Sequence, residues 1–282
     1  YVPLDSVDVW SAPELFQLDA NCHPTAVAGC PPDSFTSDGQ LWGNPLYNWD
    51  KMKENGFAWW IRRLSAAAKM YDVVRLDHFR GFESYWAVPA GDKTAAGGTW
   101  QQGPGLDFIR AIQQALPDLG FIAEDLGYVT PEVRRLQEES GYPGMKVLQF
   151  AFDSRETADY LPHTYPVNSV CYTGTHDNET ITGWFDSIKD EERTMARAYL
   201  SDTRTGKKNL HKQFINLIMR SSSRMCIVPI QDYLGYDNRC RINTPSTIGA
   251  NWRWRMKQDA LTEELQKEIL FTTRLYGRMN WN

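Results

Sequence analysis

The residues of this 282-residue chain best placed to do chemistry are three acids at similar intervals. Asp77 follows the run Val73-Val74-Arg75-Leu76, Glu124 follows Gly120-Phe121-Ile122-Ala123, and Asp177 follows Val170-Cys171-Tyr172-Thr173-Gly174-Thr175-His176. Each run reads as a short buried strand, and strand ends are where parallel α/β folds place their reacting groups. About fifty positions of partly helix-like sequence separate successive acids, roughly a βα unit with its loops. The spacing predicts that the three converge on one face of a barrel. A lone Asp at a strand end is ordinarily a helix cap or an ion-pair partner; three in register point to catalysis.

The elements that must position these acids follow from patterning. Residues 55–69 form a helical stripe through Phe57, Trp60, Ile61, Leu64 and Ala68 that feeds the Asp77 strand. A strand-like segment at 85–88 precedes a glycine-rich stretch, 90–105, expected as a mobile rim loop, since it has neither phosphate-cradle spacing. A helix over 106–116 stops at Pro117 before the Glu124 strand. Thr130-Pro131 starts another helix and Gly141 ends it. Strands are expected at 145–152, 168–173 and 225–230, the last ending at Gln231-Asp232, with helices at 188–200, 207–220 and from Thr262. Residues 1–50, dense in Pro, Gly, Asn and Asp, read as one long loop whose aromatic and amide side chains could stack on and hydrogen-bond a sugar, or pack on themselves as an Ω-loop.

Five parallel strands make an α/β chain, and a full eight-stranded barrel takes about 250 residues with compact loops. Such a barrel would lack about three strands here, expected before Tyr1, because the chain opens at Tyr1-Val2-Pro3 without Met, as if cut inside an element. No internal repeat or low-complexity linker divides it, so residues 1–282 read as one truncated domain. A net charge of −5 and a pI near 5.6, with no Lys/Arg run, argue against nucleic acid and for an uncharged partner. No apolar run approaches a membrane span, and no signal peptide is visible. Five scattered cysteines with no Cys-x-x-Cys argue against a zinc site or disulfide framework and suit a reducing cytoplasm. Trp42, Trp49 and Trp100, in polar surroundings, need something to contact.

Taken together, Arg75-Leu76-Asp77-His78-Phe79-Arg80-Gly81-Phe82, Ala123-Glu124-Asp125-Leu126-Gly127, Gly174-Thr175-His176-Asp177-Asn178, the Pro31 to Tyr47 stretch and Asn251-Trp252-x-Trp254-Arg255 carry a resemblance. The chain resembles the amylomaltase or disproportionating-enzyme family of 4-α-glucanotransferases, glycoside hydrolase family 77 of the α-amylase superfamily, on the bacterial amylomaltase and plastid-type branch. That implies a TIM (β/α)8 barrel and transfer of α-1,4-glucan segments between maltooligosaccharides or starch and a glucose or glucan acceptor. It implies no cofactor or metal, and a cytoplasmic location, or a plastid in a plant. The same resemblance implies that Asp77 is the nucleophile, Glu124 the general acid/base and Asp177 the carboxylate that holds sugar hydroxyls at the transition state. Arg75 and His176 would support the first subsite, and Gln40 and Trp42 would lie in the loop over the glucan cleft.

The physics of those roles is general. Two carboxyls about 5 Å apart favour a retaining double displacement. Arg75, two positions before Asp77 on the same strand face, would keep the nucleophile ionised. Glu124 must be protonated at rest, so burial and neighbouring carboxylates should raise its pKa, and His176 could donate to a sugar hydroxyl. Plain structural readings stand beside these: an Arg75–Asp77 ion pair, a satisfied rim histidine at His176, and Trp252 and Trp254 as core. A hydrolase with the same acids, and an inactive glucan-binding fragment, remain as alternative functions.

Overall fold

The structure is a computed structural model that describes residues 1–33, 36–127, 129–153, 158–201, 204 and 206–279. Ser34 and Phe35 of the proline-rich stretch lie outside the described residues. The chain forms two compact units, Tyr1–Gly144 and Met145–Asn282.

In the first unit the elements run α1 (Val7–Ser11), β1 (Ala26–Cys30), β2 (Gln40–Pro45), α2 (Trp49–Glu54), α3 (Ala58–Ala67), β3 (Val73–Leu76), β4 (Ser84–Pro89), β5 (Thr99–Gln102), α4 (Gly105–Ala115), β6 (Gly120–Ala123) and α5 (Pro131–Ser140). β3 and β6 pair in parallel, Val73 opposite Gly120 through Leu76 opposite Ala123. The other four strands form an antiparallel sheet in the order β2-β1-β4-β5. This corrects the expectation of a structureless loop over residues 1–50 and of a rim loop over 90–105. Pro and Gly punctuate the connections between these short strands and obscure the period-2 signal, while β5 is built from Thr99, Trp100, Gln101 and Gln102 paired with β4. At Gly29 a Cβ would lie 2.5 Å from the Gln40 carbonyl oxygen, so the β1–β2 approach requires glycine.

The expected helix over 55–69 begins later. Asn55 Oδ1 accepts from the Ala58 N–H (3.1 Å), and Phe57 takes a left-handed conformation that separates α2 from α3. α3 buries Trp59, Trp60 and Leu64, with Ile61 only partly covered. α4 buries Phe108, Ile109 and Ile112. α5 starts at Thr130, whose hydroxyl accepts from Val133 N–H, and ends at left-handed Gly141, as the sequence predicts. The core is aromatic: Phe82 stacks on Phe108 at 4.7 Å, and Trp60 meets Phe108 edge-on at 5.3 Å. Trp49 joins it, stacked on Trp60, whereas Trp100 stays outside with the Arg80 guanidinium 4.0 Å over its ring.

β7 (Gly144–Val147) spans the boundary between the units. The second unit continues with β8 (Ser169–Tyr172), α6 (Ile181–Ser187), α7 (Asp190–Tyr199), α8 (Lys207–Met219), β9 (Met225–Ile227), α9 (Ile230–Tyr233) and α10 (Glu263–Leu275). The strands run in the order β7-β8-β9, with β8 and β9 parallel and Val170 opposite Met225. β7 stops at Val147, short of the expected Phe152, because residues 148–150 turn into a 3-10 helix that still buries Leu148. An apolar run alone does not separate strand from turn there. α8 buries Leu210, Phe214, Leu217 and Ile218, and Thr262 caps α10. All five cysteines are free thiols. Among the described residues no helix is long and apolar enough to cross a membrane.

Candidate active site

The parallel register of β3 and β6 places Asp77 and Glu124 at the same level, each one residue past its strand. The ladder continues beyond the strands: Glu124 N–H donates to Leu76 O (3.0 Å) and Phe79 N–H to Glu124 O (3.1 Å). Neighbouring parallel strands lie about 4.8 Å apart, so the two acids leave the sheet side by side. The His78 N–H donates to Glu124 Oε2 (2.7 Å), tying that carboxyl to the backbone next to Asp77.

The environments of the two acids differ. Arg75 Nη2 donates to Asp77 Oδ1 in an ion pair whose carboxylate side chain is 73% exposed. Glu124 is half-buried, and desolvation, with Asp77 beside it, pushes its carboxyl up to about 7. Bonds from the Leu126 (3.0 Å) and His78 N–H groups, and the charge of Arg75, act in the opposite direction. One carboxyl is therefore held against a cation and open to solvent. The other is suited to carry a proton near neutrality.

His78 takes a left-handed backbone conformation, φ 49° and ψ 50°, which turns the chain away at once after Asp77. Burial, then Arg80, pushes its imidazole down to about 4, so the ring is neutral. The Trp42 ring meets the His78 ring edge-on at 4.8 Å, and Trp42 Nε1 donates to Gln40 Oε1 at 3.1 Å. β2 thus brings Gln40 and Trp42 to the residue that follows Asp77, with Trp42 still 37% exposed.

In the second unit, β8 leads through Thr173 into the segment that carries His176 and Asp177. His176 Nε2 lies 3.1 Å from Asp177 Oδ2. Asn243 Nδ2 donates to Asp177 Oδ1 (2.6 Å), and Arg241 Nη2 to the Asp177 carbonyl oxygen (2.6 Å). Trp252 is 57% exposed with its ring 5.2 Å from that of His176, so it is not the core residue the plain reading allowed.

Arg241, Asn243 and His78 make contacts with the candidate acids that the sequence did not assign. The first two sit in the polar-aromatic stretch after β9, whose composition marks a contact surface but not its target. A left-handed histidine after a catalytic-type aspartate leaves no trace in periodicity. Among the described residues no group of three or more His, Cys, Asp and Glu is placed to hold a metal ion.

The chain is similar to known proteins along nearly its whole length. The glycoside hydrolase family 77 model, described as 4-alpha-glucanotransferase, matches residues 1–262. A 4-alpha-glucanotransferase of Streptococcus pneumoniae is 47% identical over 100% of this chain and 56% of its own length. A chloroplastic/amyloplastic 4-alpha-glucanotransferase of Solanum tuberosum is 43% identical over 99% of this chain and 49% of its own length. A solved amylomaltase of Streptococcus agalactiae, in complex with acarbose, superposes with a TM-score of 0.93 at 42% identity, covering 99% of this chain and 56% of that one. The chain thus spans about half the length of the curated relatives it matches. With matches that run along nearly its whole length, the chain belongs to glycoside hydrolase family 77, the 4-alpha-glucanotransferase family.

Proposed function

We propose that this chain carries the catalytic centre of a 4-α-glucanotransferase, which moves α-1,4-glucan segments from a maltooligosaccharide or starch donor to glucose or another glucan. The observation that carries the reading is the pair of acids in register at the ends of β3 and β6, one ion-paired with Arg75, the other pushed up to about 7. Two carboxyls whose surroundings separate their protonation states divide naturally into nucleophile and acid/base.

In the first half-reaction an Asp77 oxygen attacks the anomeric carbon while the Glu124 proton passes to the departing glycosidic oxygen. The shortened glucan leaves, and the retained segment is held as a glycosyl ester on Asp77. In the second half-reaction Glu124, now a carboxylate, takes the proton of the acceptor hydroxyl as that oxygen displaces Asp77. Two inversions give retention. In this reading Asp177, with His176 beside it, accepts hydrogen bonds from sugar hydroxyls, and Arg75 supports Asp77 as the ester forms. Gln40 and Trp42 cover the site against water and so favour a sugar acceptor.

The whole protein is read as a (β/α)8 barrel, of which this chain supplies the β3–β6 and β8–β9 parallel pairs. The likeness to solved amylomaltase supports that reading. Its partners are α-glucans; its compartment is the cytoplasm, or a plastid as the potato relative's name indicates for that protein. The test is to trap the glycosyl ester. Glu124→Gln treated with α-maltotriosyl fluoride, whose leaving group needs no proton, is expected to gain the mass of one maltotriosyl group on the peptide containing Asp77. A label on another residue, or no label while the fluoride is turned over, would reject the assignment.

A further inference from the structure

Asp232 is the most enclosed acid among the described residues of the second unit, only 1% exposed. It lies on α9, just after β9, and its two carboxylate oxygens go to two different places. Oδ2 accepts from the Thr173 hydroxyl, and Oδ1 accepts from the Ile181 N–H at 2.8 Å. Thr173 is the residue directly after β8, and Ile181 is the first residue of α6. Between them lies the segment that carries His176 and Asp177. One buried carboxylate therefore fastens both ends of that segment.

The segment is held at other points as well. Asn178 Oδ1 accepts from the Thr175 N–H (2.8 Å) and hydroxyl (2.7 Å), and Asn238 Oδ1 accepts from the Thr180 N–H (3.2 Å). Asp232 joins the segment's two bases, Thr173 and Ile181, to each other. A buried carboxylate is costly unless its lone pairs are satisfied, and both donors here belong to the loop it braces. Burial pushes the Asp232 carboxyl up to about 6, with the Thr173 and Ile181 bonds pulling it back.

We propose that Asp232 is a positioning residue for Asp177, closing the base of the 173–181 segment so that the third acid meets the sugar in a fixed geometry. This rests on the reading of Asp177 as the transition-state carboxylate. Asp232→Ala removes both bonds. Asp232→Asn keeps an acceptor for Ile181 and offers its amide to the Thr173 oxygen. Thr173→Val removes one bond at nearly constant volume.

The experiment measures transfer kinetics and hydrogen exchange on these variants in the full protein. Asp232→Ala is expected to lower kcat by about 10²-fold with KM within about threefold, as a misplaced catalytic group does. Thr173→Val should fall between it and wild type, and Asp232→Asn should restore kcat to within about threefold of wild type. Placed on Asp177→Asn, Asp232→Ala should cost less than about twofold more, because the two act as one unit. Peptides over 173–181 should exchange at least about tenfold faster in Asp232→Ala than in Asp232→Asn. Additive losses, or unchanged exchange in that segment, would overturn the proposal. Should Asp232→Ala not fold, Thr173→Val carries the same comparison. Wild type without any transfer product would reject the functional reading instead, and exchange over 173–181 would then decide this inference alone.

Discussion

A carboxyl whose pKa lies near 7 is mostly protonated in mildly acid solution and gives up its proton within the range where the proposed reaction runs. For Glu124, kcat/KM is predicted to fall above about pH 7, where the acid is lost. Glu124→Gln should lower kcat about 10²–10⁴-fold on maltotriose but restore the first half-reaction with a glycosyl fluoride, read as fluoride release. The raised value also sets a sign for stability. Folded Glu124 holds its proton more tightly than the unfolded carboxyl, so its contribution is present below the ordinary pKa near 4.5 and lost as pH rises through about 7. Glu124→Gln should therefore gain stability relative to wild type at pH 8 and show little difference at pH 4, measured by urea unfolding. At Asp77 the partner is a guanidinium, whose planar fork a lysine does not reproduce. Arg75→Lys is expected to reduce kcat/KM by at least about tenfold while leaving the thermal midpoint within a few degrees; unchanged kinetics would reduce the pair to a structural contact.

The elements that carry the acids were legible because their signals are local. β3, β6 and β8 are short apolar runs that end in polar residues, and Thr130-Pro131 with Gly141 marks both ends of α5. The antiparallel sheet was not legible: β1 is Ala-Val-Ala-Gly-Cys and β2 mixes Gln, Trp, Gly and Asn, and β1 finds its other partner in the distant β4, Ala26 opposite Pro89. Tertiary pairing overrides weak local propensity there. That sheet gives Gln40 and Trp42 a fixed place, so its closest approach is the one to disturb. Gly29→Ala puts a methyl 2.5 Å from the Gln40 carbonyl oxygen and must move β2. It is expected to raise KM for maltotriose several-fold and to increase the share of free glucose among products, as water reaches the glycosyl ester; an unchanged transfer-to-hydrolysis ratio would detach β2 from acceptor selection.

Across the whole molecule, the motifs around Asp77, Glu124 and Asp177, with the Pro31 to Tyr47 stretch and Asn251-Trp252-x-Trp254-Arg255, carried the resemblance to the family whose model matches residues 1–262. The supports of those acids were harder to read. Asp232, Asn243 and Arg241 act on the 173–181 segment from more than fifty positions downstream, and only folding brings them to it. The chain spans about half the length of its curated relatives, so the central claim concerns what this half does. The most direct test is to incubate the 282-residue chain with maltotriose beside an Asp77→Asn control and resolve the products by length. Glucose together with maltooligosaccharides longer than the substrate, absent from the control, is the predicted result. Glucose and maltose alone, or a ladder that survives Asp77→Asn, would contradict the account.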